Sequence, residues 1–140
     1  MQLGALSEGR VKLCLVSSFG VLVSARVPII FGSVRRQFWR TKYDESRLID
    51  YPSWQARVFP YYAESVIMMF CGRTLNNLWR DNKQSVFDTK NKEVKEMHAL
   101  ISAAKPVTAW LLTRGLQEFR EACGGLGISA YSKLPQMIAG

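Results

Sequence analysis

Glu118-Phe119-Arg120-Glu121-Ala122-Cys123-Gly124-Gly125-Leu126-Gly127 ends a long apolar-periodic segment with three glycines in four residues. The segment runs from Lys92 to Cys123. Val94, Met97, Leu100, Ile101, Ala104, Val107, Leu111, Gly115, Leu116, Phe119 and Cys123 recur every three or four residues, the period of one helical face. At 1.5 Å per residue such a helix is about 48 Å long, and helices of that length pack side by side. Pro106 predicts a kink or a break, because proline lacks the N–H and crowds the preceding turn. One glycine stops a helix by taking the left-handed conformation. Gly-Gly-x-Gly also lets backbone N–H groups approach another surface closely, as phosphate-binding turns do. Both readings, a helix cap with a turn and a phosphate cradle, stay open on composition alone.

Upstream, Ser7 reads as an N-cap to an apolar helix over Val11 to Phe31, with Pro28 expected to kink or divide it. A rival reading takes Lys12, the apolar run to Ala25 and the small residues before Arg26 as a signal peptide. Glu8 and the smooth continuation into Val34-Arg35-Arg36 oppose it. Only thirteen residues between Lys12 and Arg26 are uncharged, against about 20 for a transmembrane span, so no transmembrane segment is expected. Arg35 to Arg47 reads as a charged, irregular loop: either a solvated basic stretch or an anion site, with Phe38 and Trp39 able to stack on a base. Tyr51-Pro52 is an extended approach to a helix starting near Ser53 or Trp54 and running to about Arg80, with Pro60 as an alternative first turn. Phe59, Tyr62, Val66, Met69, Phe70 and Trp79 are placed on its buried face. Asp81 to Asn91 is polar and reads as a loop. No strand pattern of period two competes, so the fold class is all-α: an up-down bundle of long antiparallel helices.

The 140 residues suffice for one domain with its own core, and 48% hydrophobic content excludes a disordered chain. Cys14, Cys71 and Cys123 are odd in number and widely spaced, which points to buried thiols in a reducing compartment. Nineteen basic against eleven acidic residues give a formal charge of +8, favouring nucleic acid, an anionic membrane or a phosphate-bearing cofactor. Single catalytic candidates are weak. His98 reads as a hydrogen-bonded structural residue. Cys123 near a helix C-terminus has its thiol pKa raised by the dipole. Glu118 and Glu121 lack a partner for acid–base work. No metal-ligand cluster is present.

Arg120-Glu121-Ala122-Cys123-Gly124-Gly125-Leu126-Gly127 resembles the Cys-Gly-Gly-His-Gly signature of peroxisomal acyl-CoA oxidases, and Val34-Arg35-Arg36-Gln37-Phe38 resembles their Arg-Arg-Gln-Phe-Gly block. Phe59-Pro60-Tyr61, Met97-His98-Ala99-Leu100 and Lys105-Pro106 follow in the family's order, so the resemblance runs from about Leu6 to Pro135. Trp39 stands where the family has Gly, Leu126 where it has His, and Ile128 where it has an aromatic. The resemblance implies that residues 1–140 are the first part of the family's C-terminal α-helical domain, without the N-terminal helical and β-domains. It implies FAD as cofactor, held by Arg35, Gln37, Phe38, Glu121, Gly124, Gly125 and Gly127. Arg35 and Gln37 would reach the phosphate and adenine, and Phe38 would pack beside the flavin cofactor, on the FAD of a homodimer partner. It implies the family reaction as well: acyl-CoA is desaturated to trans-2-enoyl-CoA and the reduced flavin gives hydrogen peroxide from dioxygen, in peroxisomal fatty acid β-oxidation. The family's catalytic glutamate lies in a Glu-Gly pair beyond the glycines and has no counterpart before Gly140. The chain is therefore expected to be a fragment, a truncated gene model or a degenerate relative, inactive alone, with no catalytic residue of its own. A peroxisomal location rests on the resemblance, with no targeting signal at Met137-Ile138-Ala139-Gly140. Acyl-CoA would be the substrate, with no nucleic acid as partner. The alternatives are a non-catalytic helical dimerisation module and a basic bundle that binds nucleic acid or membrane.

Overall fold

A computed structural model describes residues 2–41, 44–82 and 92–139. Helix α1 spans Gln2–Ser24, α2 Arg26–Val34, α3 Pro52–Asn82, α4 Lys92–Ala122 and α5 Leu134–Ala139. Strands β1, Arg36–Thr41, and β2, Asp44–Arg47, form an antiparallel pair between α2 and α3. The expected loop at Asp81 to Asn91 lies mostly outside the described residues; α3 extends through its first two.

Three long helices pack against one another as an up-down bundle. At one end Val11 meets Leu75, Trp79, Val94, Met97 and Ile101. At the other, Val21 and Ala25 meet Trp54, Val58, Leu111, Leu116 and Phe119. So α1 and α4 run the same way and α3 runs against both. Glycines set the helix spacing. A Cβ on Gly115 would lie 3.2 Å from Val21, and one on Gly72 would lie 2.9 Å from the Leu15 side chain.

Several expectations are corrected. Ser7 is not an N-cap. It lies inside α1, fully buried, with its Oγ 2.7 Å from His98 Nδ1. That contact bears out the expected hydrogen bond of His98. The chain divides at Ala25, three residues before Pro28, because the proline ring excludes the carbonyl one turn back. Pro60 does not start α3. Pro52 does, its fixed φ suiting the first helical position. Pro106 does not end α4; the helix continues through it, and Thr108 Oγ1 donates to the carbonyls of Ala104 and Lys105 at 3.0 and 3.1 Å.

The buried face of α3 is rotated from the expected one. Trp54, Val58, Ser65, Gly72, Leu75 and Trp79 are buried, whereas Phe59, Tyr62 and Phe70 are exposed. Small Gly72 allows the close approach of Leu15 on α1, and hydrophobicity alone overlooks it and the buried Ser65. The Arg35–Arg47 stretch is not irregular. Arg36 pairs with Arg47 and Gln37 with Ser46, and the register shifts around Phe38. Arg36, Gln37 and Phe38 of β1 and Asp44, Glu45 and Arg47 of β2 are exposed, so no apolar alternation announced the strands.

By length and apolarity alone, the continuous stretch Leu6–Val34 meets the requirement for crossing a membrane, as the core helix of a bundle also does. In the bundle, Val11, Cys14, Val21 and Ala25 from this stretch are buried against the other helices.

Candidate functional site

The C-terminal end of α4 faces the N-terminal end of α3 and the base of the hairpin. Cys123 still has near-helical backbone, and Gly124 then takes φ 54°. That left-handed residue ends the helix without a Cβ clash. The chain turns into a 3-10 segment, Gly124–Ile128.

A groove of about 830 Å³ opens beside this turn. One wall carries Glu121, Gly124, Gly125 and Leu126, and the other Arg35, Gln37, Phe38 and Tyr51, with Trp54 and Arg57 from α3 between them. The fold thus gathers six of the seven expected site residues from stretches more than eighty positions apart. The seventh, Gly127, does not line it. Gly127 is buried, and a Cβ there would collide with the backbone carbonyl of Arg120. Its missing side chain serves the fold of the turn. At Gly124 and Gly125, by contrast, a Cβ would meet nothing within 4 Å. Nothing in the bundle requires Gly125 to lack a side chain, and its backbone faces open groove.

The two neighbouring arginines separate in role. Arg36 donates to the Glu45 carbonyl at 2.9 Å and lies 3.8 Å from Asp44. The exposed Arg35 guanidinium has no hydrogen-bond or ion-pair partner among the described residues, while its backbone is fixed by bonds from Arg35 N to Phe31 O (2.8 Å) and from Leu48 N to Arg35 O (3.0 Å). Gln37 offers its carbonyl to Tyr51 Oη at 2.8 Å, leaving its side chain toward the groove. Phe38 holds φ 61°, rare for a non-glycine residue, and meets Tyr51 edge to face at 6.2 Å. The side chain of Trp39 and all of Lys42 lie outside the described residues.

Tyr51, Trp54 and Arg57 are among the groove residues that escaped the sequence reading. Trp54 Nε1 donates to Ala122 O at 3.1 Å, supplying a partner for a carbonyl in the last turn of α4. Its ring lies against Gly32 of α2. Arg57 pairs with both Glu118 and Glu121, an ion pair and not the acid–base partner they were expected to lack. Its Nε donates to Glu118 at 2.8 Å and its Nη2 to Glu121 at 2.5 Å. The i, i+3 spacing of the two glutamates was a usable signal, but nothing in sequence ties residue 57 to residue 121. Bonds from Gln117 and then Arg57 hold the Glu121 carboxyl below its usual range. The Arg57 guanidinium is held above its own, chiefly by Glu118. Glu121 is the only carboxylate lining the groove among the described residues, and such a carboxylate is a poor base. Burial pushes the Cys123 thiol up to about 11. The direction agrees with the expectation from the dipole; the cause is desolvation. Among the described residues no three His, Cys, Asp or Glu groups gather as for a metal ion.

The family description "Acyl-CoA oxidase, C-alpha1 domain" matches residues 3–140. Human peroxisomal acyl-coenzyme A oxidase 3 is 34% identical over 137 residues, which is 94% of this chain and 20% of that protein. Arabidopsis thaliana acyl-CoA oxidase 1 superposes with a TM-score of 0.90 at 28% identity, covering 97% of this chain and 21% of the other. Caenorhabditis elegans acyl-CoA oxidase-2, whose structure is bound with FAD, ascaroside-CoA and ATP, superposes with a TM-score of 0.86 at 27% identity over 97% of this chain and 21% of its own. The chain spans about a fifth of the length of these relatives. It belongs to the acyl-CoA oxidase family, as that family's C-alpha1 helical domain.

Proposed function

We propose that this chain is the first helical layer of the C-terminal region of a peroxisomal acyl-CoA oxidase, and that its groove holds part of the FAD of a neighbouring subunit. One observation carries the reading. Arg35, a guanidinium without a partner among the described residues, and Gly125, a backbone with open space where a side chain would sit, face the same groove. Arg35 clamps the diphosphate, since its planar fork donates two parallel hydrogen bonds. Gly124 and Gly125 let the cofactor lie close to the backbone. Gln37 and Phe38 border the adenine and flavin sides. FAD supplies hydride acceptance from acyl-CoA and reoxidation by dioxygen, giving trans-2-enoyl-CoA and hydrogen peroxide. The base for the α-proton comes from outside this chain, because Glu121 is tied to Arg57 and Gln117. The chain therefore contributes cofactor binding and subunit contact, and is silent alone. Peroxisomal β-oxidation is the setting, as the human relative's name places that protein in the peroxisome. The basic excess is partly spent within the fold, where Lys12, Arg36, Arg47, Arg57 and Lys92 each face a carboxylate. This favours a local phosphate site over a continuous nucleic-acid surface. The apolar stretch Leu6–Val34 is read as a core helix.

The test is titration of the chain with FAD, followed by flavin fluorescence. Arg35→Lys keeps the charge and loses the fork; Gly125→Val keeps the charge and fills the cradle. Arg35→Lys lowers affinity roughly ten- to a hundredfold, the value of a lost charged hydrogen bond; Gly125→Val lowers it by filling the space the cofactor takes, and Lys95→Gln on the far part of α4 does not. If Lys95→Gln weakens binding as much as Arg35→Lys while Gly125→Val has no effect, the site is diffuse positive charge and the proposal is wrong.

A further inference from the structure

Glu121 is held in the groove by a protein donor on each carboxylate oxygen. One carboxylate oxygen accepts from Arg57 Nη2 at 2.5 Å and the other from Gln117 Nε2 at 2.8 Å. Arg57 is itself fixed by Glu118. Arg120 also approaches, but it turns its Nε to Gln117 Oε1 at 3.3 Å and does not line the groove. An ionised carboxylate is acceptor-only, and each oxygen has a second lone pair beyond the one its protein donor uses. Those lone pairs suit the hydroxyls of a ribose, the role an acidic residue plays in other dinucleotide sites. The same oxygens repel a phosphate placed there. Arg57 offsets this only in part: three of its five N–H groups stay uncommitted, but its single positive charge already faces two carboxylates.

FAD and coenzyme A share an ADP unit and differ at its ribose, which is free in FAD and phosphorylated in coenzyme A. We infer that the carboxylate of Glu121, positioned by Arg57, makes the groove selective for ADP with free ribose hydroxyls and closes it to ribose-phosphorylated ADP. The inference rests on the groove being the nucleotide site proposed above. Glu121 is then a specificity-determining residue that touches the ligand, and Arg57 a positioning residue that acts through it. The groove accepts the cofactor and refuses the nucleotide end of the substrate, although both offer the same diphosphate to Arg35.

The chain is titrated by calorimetry with two probes, ADP and 3′-phospho-ADP. ADP is expected to bind, and 3′-phospho-ADP roughly tenfold or more weakly, from like-charge repulsion at a fixed carboxylate. Glu121→Gln weakens ADP and strengthens 3′-phospho-ADP, bringing the two near equality. Opposite movements of two ligands cannot come from partial unfolding. Arg57→Gln leaves Glu121 in place without its brace and narrows the gap partway. Equal binding of both probes by the unaltered chain overturns the inference while leaving the nucleotide reading intact. So does a gap that survives Glu121→Gln, or a variant that weakens both probes equally. If the unaltered chain binds neither probe, the nucleotide reading itself fails, and this inference with it.

Discussion

Trp54 joins the three helices that wall the groove, and a double-mutant cycle with Gly32 tests that role. Trp54 is 7% exposed, meets Phe59 edge to face at 6.2 Å and donates to Ala122 O at 3.1 Å. A Cβ on Gly32 would sit 2.6 Å from Trp54 Cζ2 and 2.9 Å from Cη2. The ring would have to withdraw by about 1 Å to reach ordinary contact, which pulls Nε1 from the Ala122 carbonyl. Gly32→Ala should therefore cost about 1–3 kcal/mol from overpacking, less up to about 1 kcal/mol of helix propensity regained. Trp54→Phe removes the N–H and part of the ring. An unpaired carbonyl costs about 1–3 kcal/mol and the cavity roughly 1 kcal/mol more. In the Trp54→Phe background the methyl added by Gly32→Ala enters vacated space, so that second change becomes neutral or stabilising. The expected coupling is about 1–2 kcal/mol, read from urea unfolding of the four proteins. FAD affinity should fall in both single variants, since the freed carbonyl lies just before Cys123-Gly124-Gly125. Additivity within about 0.5 kcal/mol, or a neutral Gly32→Ala in the unaltered chain, refutes the packing argument.

Cys71 is exposed, contrary to the expectation of buried thiols, and should react with a thiol reagent in native protein, whereas buried Cys14 and Cys123 should react only on unfolding. The Cys123 thiol is held protonated to about 11 against an ordinary 9.0, so the folded state loses about 2–3 kcal/mol as pH rises through that window. Cys123→Ala should flatten this loss, and an unchanged alkaline slope would show that the thiol is not the cause. The lowered carboxyl of Glu121 gives the opposite sign: its contribution is present above its ordinary 4.5 and is lost as pH falls through its folded value. Arg57→Gln should shrink that part of the acid destabilisation in thermal melts taken below about pH 5, and an identical acid slope in the variant would count against the ion pair.

The bundle was legible because period is a local property. Met97, Ile101, Leu111, Leu116 and Phe119 announce the buried stripe of α4 without reference to any other helix. The stop after Ala122 was equally legible, since Gly124 needs only its own backbone freedom to take φ 54°. Pattern in order along the chain pointed to the family, and with it to Arg35, Gln37, Phe38 and Glu121. Features that depend on what lies across a gap were not legible. The hairpin around Phe38 is held by backbone hydrogen bonds between strands with exposed charged residues, which leave no mark in hydrophobicity. The true face of α3 includes Gly72, whose value is smallness and so depends on a neighbour, Leu15. Gly125 and Gly127 look alike in sequence. Only the tertiary structure puts one against open groove and the other against the Arg120 carbonyl. Likewise the ion pair of Glu121 exists only once α3 brings Arg57 within 2.5 Å. Period and backbone preference act over a few residues and can be read along the chain. Close approach and charge pairing act through space, between residues 61 and 64 positions apart, and only the packed bundle decides them.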